Sequence, residues 1–170
     1  MAGSFSLGGV DYPLNHLRGL RVTVPQKDPL QAPAILQVTF SNHVYTVKWD
    51  DTVHTPEHRI EEKGEVRAFC PVRYGCSIGL AAHIGYHVAG KAYEGRDSRG
   101  AMNRFFYAEA DGIQYPIYFA LDQADRIRGV DGVLHIISAY QNPNLRARHR
   151  FQSIKFARLV HMTCPPEPTK

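Results

Sequence analysis

No stretch of this 170-residue sequence is apolar for long enough to cross a bilayer as a helix, so no membrane partner is expected. The first residues, MAGSFSLGGVDYPLNHL, lack a basic segment followed by an apolar one, and no secretory signal is read there. Cysteine is scarce. Cys70, Cys76 and Cys164 are odd in number and lack disulfide-framework spacing, so they read as reduced thiols of a cytoplasmic protein. Signature motifs are missing as well. There is no GxxxxGK[ST], no GxGxxG behind a strand and no GxSxG elbow. P-loop, dinucleotide-binding and α/β-hydrolase chemistry therefore have nothing to stand on.

Most of the chain also lacks a charge excess of either sign. Residues 1–142 hold 14 Lys/Arg against 15 Asp/Glu, whereas residues 143–170 hold 6 against 1. A local cationic surface of this kind is the footprint of a phosphate-backbone partner, or simply a solubilising tail. The hydrophobic share of 44% is ordinary and supports one globular domain.

Residues 1–34, rich in Gly and Pro, read as irregular apart from a short extended piece at Leu20–Val24. A single α+β domain is expected over 35–164, with a Pro-rich tail at 165–170. ILQVTFSNHVYTVKW (35–49) alternates as a long strand, with Leu36, Val38, Phe40 and Val44 on one face and Thr39, Ser41, His43 and Tyr45 on the other. EVRAFCPVRY reads as a strand broken by Pro71. SIGLAAHIGYHVAGKAY (77–93) is the one convincing helix, with Ser77 as its N-cap and an apolar stripe at helical spacing. RFFYAEADGIQYPIYFAL is a hairpin turning at Asp111–Gly112, and Pro116 suggests an edge or a bulge. VLHIISAY is almost wholly apolar, as central strands are. FQSIKFARLVHMT reads as the last strand. The expected fold is an antiparallel β-sheet with one main helix packed on one face.

Metal signals are thin. His83 and His87 stand four apart on the helix, the spacing of a zinc pair, but no Glu follows His83 and no third ligand lies nearby. His54 and His58 are separated by Pro56, and Cys70 and Cys76 are too far apart in sequence for a zinc knuckle. No metal and no cofactor is expected. His43 carries more interest, because an imidazole near working pH can take a proton from a ribose 2′-hydroxyl. Arg67 and Arg73 are candidates to clamp a phosphate, and Ser138 and Tyr140 to orient it. Arg146, Arg148 and Arg150 alternate in RARHR. If extended, they would project to one side about 7 Å apart, near the phosphate spacing of a single strand; if coiled, they form a cationic loop. His43 alone also fits a plain surface strand residue.

The order helix, hairpin, apolar strand ending in ISAY, basic turn and last strand resembles small bacterial toxin ribonucleases of the RelE, BrnT and colicin-nuclease type. The local echo is HIISAYQNPNLRARHRF. Tyr140 stands where the BrnT-like strand has an arginine, and Phe151 stands at an expected aromatic position. The words FSNHVYT, RAFCPVRYGCS and ISAY also resemble bacterial proteins with no assigned activity. The resemblance implies metal-independent RNA cleavage or RNA binding; the reading of the residues themselves puts His43, Arg73 and Tyr140 at the centre. It also implies an antitoxin as a protein partner. The alternative expectation is a non-catalytic bacterial or phage regulatory protein that binds a protein or nucleic acid through the basic C-terminal face.

Overall fold

The computed structural model describes residues 3–26, 32–96, 100–124 and 129–165. The expected tail at 165–170 lies almost entirely outside them. The chain runs β1 (Ser4–Leu7), β2 (Val10–Pro13), β3 (Leu20–Val24), β4 (Ala34–Phe40), β5 (Thr46–Lys48), β6 (Arg59–Glu62) and β7 (Glu65–Phe69). Then follow α1 (Pro71–Ser77), α2 (Leu80–His87), β8 (Lys91–Arg96), β9 (Met102–Ala110), β10 (Ile113–Gln123), β11 (Gly132–Ala139), β12 (Gln152–Lys155) and α3 (Phe156–Thr163).

The main sheet has seven strands in the order β12-β8-β9-β10-β11-β4-β3. It is α+β and mostly antiparallel, but β11 and β4 pair in parallel, with Leu134 opposite Val38. A three-stranded sheet, β5-β7-β6, and the β1–β2 hairpin complete the β-structure. The hairpin packs Phe5 and Tyr12 against Phe69 of β7.

Two expectations about the main sheet hold. Asp111–Gly112 turns β9 into β10, with both residues at positive φ. β11 is central, flanked by β10 and β4, and Leu134, Ile136 and Ala139 are fully buried. Pro116 sits in β10, one position past the last β11 pair, so it removes no hydrogen bond from that ladder.

Several local readings are corrected. The extended piece expected at Leu20–Val24 is β3, which pairs antiparallel with β4, but the rest of the N-terminal segment is not irregular, since β1 and β2 lie within it. The long strand at 35–49 breaks at Ser41, where a 3-10 turn (Asn42–Val44) is capped by the Ser41 side chain accepting from the His43 amide. Pro71 does not break a strand but opens α1, at a position where a missing N–H costs nothing. Ser77 is therefore no N-cap: it closes α1, buried, with its hydroxyl donating to the Tyr74 carbonyl. In place of one main helix the described residues hold three short ones. The last segment is only briefly a strand. After β12 it becomes α3, because Phe156, Leu159 and Val160 bury one face at helical spacing.

Helices α2 and α3 cover the same face of the main sheet. Leu80, Ile84 and Val88 from α2 and Phe156, Leu159 and Val160 from α3 meet Phe106, Ile117, Phe119, Leu134, Ile136 and Leu36 in one core. The opposite face carries Tyr93, Phe105 and Tyr107, covered by Leu145 and Phe151 of the 141–151 segment. Further along it, towards β4, this face holds half-buried Tyr118, His135, Ser138, Gln37 and Thr39 and, among the described residues, no helix.

Candidate functional site

The expected residues gather where the 3-10 turn, α1 and the end of β11 meet. The link between turn and sheet is a backbone bond, Ser41 N–H to the Ile136 carbonyl, 2.9 Å. Arg73, on the first turn of α1, donates through Nη1 to the carbonyls of His43 (3.1 Å) and Thr46 (2.8 Å). Its guanidinium carbon lies 4.8 Å from the centre of the Tyr140 ring. Tyr140 stacks on Tyr118, centroids 6.0 Å apart. Tyr118 is directly opposite Ser138 in the β10–β11 ladder. Burial, opposed by Cys70, pulls the Arg73 pKa below its ordinary value. Burial, reinforced by Tyr140, raises that of the Tyr118 phenol. The remaining nitrogens of Arg73, Nε and Nη2, make no hydrogen bond to a described residue, and that half of the fork is the shape a carboxylate or phosphate engages.

His43 is not on a sheet face. It rides on the 3-10 turn, with Nε2 3.3 Å from Glu65 Oε2, and only its backbone touches Arg73. Arg67 is buried at 7% exposure. Its Nε donates to Thr46 Oγ1 (2.7 Å) and its Nη1 to Glu65 Oε1 (2.8 Å), so its polar groups are engaged inside the fold. Thr46, fully buried, is the hub: its hydroxyl and carbonyl serve both arginines while the hydroxyl donates to Asn42. Hydrogen bonds from Arg67 and then His43 hold the Glu65 carboxyl below its usual range. Neither Glu65 nor Thr46 was visible as a site residue in sequence. The only signal was Glu65 standing two positions before Arg67, on one side of a strand.

The arginine comb is not extended. Arg148–Arg150 form a 3-10 turn, so the three side chains do not project in one row. Arg148 lies over two rings, 5.0 Å from the centre of Tyr107 and 5.9 Å from that of Tyr93. The Tyr107 hydroxyl donates to the Arg146 carbonyl, 3.3 Å. Arg146 and Arg150 are exposed. A continuous aromatic band, Tyr140–Tyr118–Phe105–Tyr93 with Tyr107 and Phe151, thus runs across the helix-free face. Arg73 caps one end and Arg148 the other. Each cation–π contact is worth about 0.5–1 kcal/mol where solvent reaches it.

The histidine pairs do other things. His83 lies against the Tyr115 ring and His87 stacks on Phe106, both at 5.7 Å. Burial, with the charges of His83 and Arg148, lowers the His87 pKa to about 4. His54 and His58 each accept a backbone N–H at Nδ1, from Asp50 and Thr55. Their neutral rings therefore keep the proton on Nε2, where a metal would need a lone pair. Among the described residues no group of three or more His, Cys, Asp or Glu is arranged to hold a metal ion. Nor is any described helix long and apolar enough to cross a membrane. Tyr115 is fully buried, and its hydroxyl has no hydrogen-bond partner among the described residues.

No curated protein and no solved structure matches the chain. The model of the YjaZ family aligns with residues 4–164, from the first hairpin to the end of α3, and the chain belongs to the YjaZ family.

Proposed function

We propose that the chain binds single-stranded RNA across the helix-free sheet face and cleaves it without a metal, as a toxin-like ribonuclease of the cytoplasm. The observation that carries this reading is Arg73, stacked on Tyr140 with half of its guanidinium fork unengaged. A base can stack on the Tyr140–Tyr118 pair while its phosphate meets the fork. Ser138, opposite Tyr118, orients the strand, and Arg146, Arg148 and Arg150 attract the backbone beyond it. His43, with Glu65 on its ring, is the proton-transfer group to be tested first. Arg67 supports the fold rather than the ligand.

The second reading, a regulatory protein that binds a protein or nucleic acid without chemistry, is favoured by the exposure of Arg146 and Arg150. An antitoxin is the protein partner that the first reading calls for.

The test is anisotropy titration of a labelled single-stranded RNA at rising salt, beside incubation with total RNA. Arg73→Ala should weaken binding by about 10- to 150-fold, since a charge-assisted contact is worth roughly 1.5–3 kcal/mol. His43→Ala should abolish cleavage and spare binding. Cleavage that survives His43→Ala removes that residue's role. Tight, salt-sensitive binding by a wild type that never cuts favours the regulatory reading.

A further inference from the structure

We infer that His135, positioned by Thr39, is a second proton-transfer group of the open face and takes the 2′-hydroxyl proton of a bound ribonucleotide. The inference rests on the RNA reading above.

A bulge makes the arrangement. In the β10–β11 ladder Tyr118 faces Ser138, but Phe119 faces Ile136, so Ile137 is an extra residue. In a regular strand His135 and Ser138 would point to opposite sides of the sheet. The inserted residue resets the alternation. His135, opposite Ala120, and Ser138, opposite Tyr118, therefore share the helix-free side. Ile136 and Ala139 stay fully buried on the helix side. The bulge thus puts Ser138 and the Tyr118–Tyr140 stack on the same face as the His135 imidazole without disturbing the core.

The parallel pairing with β4 supplies the second half. Thr39 is directly opposite His135, and its Oγ1 lies 2.9 Å from His135 Nδ1. That bond fixes the ring plane. With the hydroxyl oxygen accepting Nδ1–H, the lone pair is on Nε2, which has no hydrogen-bond partner among the described residues. A half-buried imidazole with one nitrogen anchored and the other open is the form a general base takes.

The step balances without an added reagent other than water. The ribose 2′-oxygen attacks the adjacent phosphorus, forming the O2′–P bond as the P–O5′ bond breaks. His135 Nε2 receives the 2′-hydroxyl proton. His43, the proton-transfer group named above, protonates the departing 5′-oxygen, a 2′,3′-cyclic phosphate remains, and water returns both rings to their starting state.

The test uses the full chain and a DNA oligonucleotide containing one ribonucleotide. His135→Ala should cut it about 10²–10⁴-fold more slowly with little change in binding, and added imidazole should restore part of the rate. His135→Gln, similar in size and polar, repeats the loss if the alanine variant melts early. Thr39→Val should lower kcat at constant KM, and Thr39→Ser should recover it. Cutting by either His135 variant at the wild-type rate overturns the inference, as does a wild type that binds the strand but never cuts it. A wild type that fails to bind at low salt overturns the RNA reading itself.

Discussion

The two faces of the seven-stranded sheet are built on opposite plans. On one, α2 and α3 press Leu80, Ile84, Phe156 and Val160 onto Phe106, Ile117 and Phe119, and water is excluded throughout. On the other, aromatic rings are covered only by the 141–151 segment, through Leu145, Phe151 and Arg148. Then the cover stops, and Tyr118, Ser138, His135 and Thr39 meet solvent. Stability sits on the first face and chemistry-bearing side chains on the second.

The sharpest way to break the comparison is to remove one ring from each face. Phe106→Ala on the helix side should cost about 3–5 kcal/mol, because the helices cannot collapse into the cavity. Phe151→Ala on the open side should cost distinctly less, because its segment can settle. Urea unfolding of both variants measures the difference, and equal losses would erase the distinction.

Acid titration separates the faces next. His87 belongs to the helix face, and its pKa is lowered from 6.5 to about 4. As pH falls through that interval the unfolded chain takes a proton that the folded chain refuses, so stability drops between 6.5 and about 4 and levels below. His87→Asn should flatten this slope in urea midpoints taken across that range.

The smallest contrast comes from two glycines. A Cβ on Gly132 would meet Cys164 Sγ of the α3 C-cap at 2.5 Å and the Asp122 carbonyl at 3.0 Å. Gly132→Ala should cost about 1–3 kcal/mol by overpacking, and Cys164→Ala should relieve part of it. A Cβ on Gly95 would meet only the Phe151 and Phe105 rings, the nearest at 3.1 Å. Gly95→Ala should fall below the Gly132 effect in thermal midpoint.

The legible part of this fold was the part written in unambiguous local code. Asp111–Gly112 between aromatic runs has one good solution, and the apolar run VLHIISA has one good place. Other segments satisfied two codes at once. In FQSIKFARLVHMT, Ile154, Phe156 and Val160 suit a strand as well as a helix, and only the burial of Leu159 with Phe156 decides for α3. β1 and β2 were hidden by brevity, four residues each around a Gly8–Gly9 turn at positive φ. The site was legible as a list but not as a geometry. Arg73 and Tyr140 do meet, yet Arg67 turned inward to Thr46, a long-range fact that no local pattern carries. The bulge that turns Ser138 to the side of His135 left no mark in composition, because Ile137 looks like any other strand residue.

The parallel pairing of β4 with β11 also sets a timetable. β4 leaves the ribosome after its neighbour on one side, β3. Its other neighbour is synthesised some ninety residues later, and the Ile35–Asp131 backbone bond that closes the pair spans 96 residues. If β3 and β4 pair during that interval, Leu36 and Val38 lie on a strand with one ladder unmade. Such an edge invites pairing with other nascent chains. In the folded protein β11 closes that edge, so the shielding of β4 comes from a strand some ninety residues away.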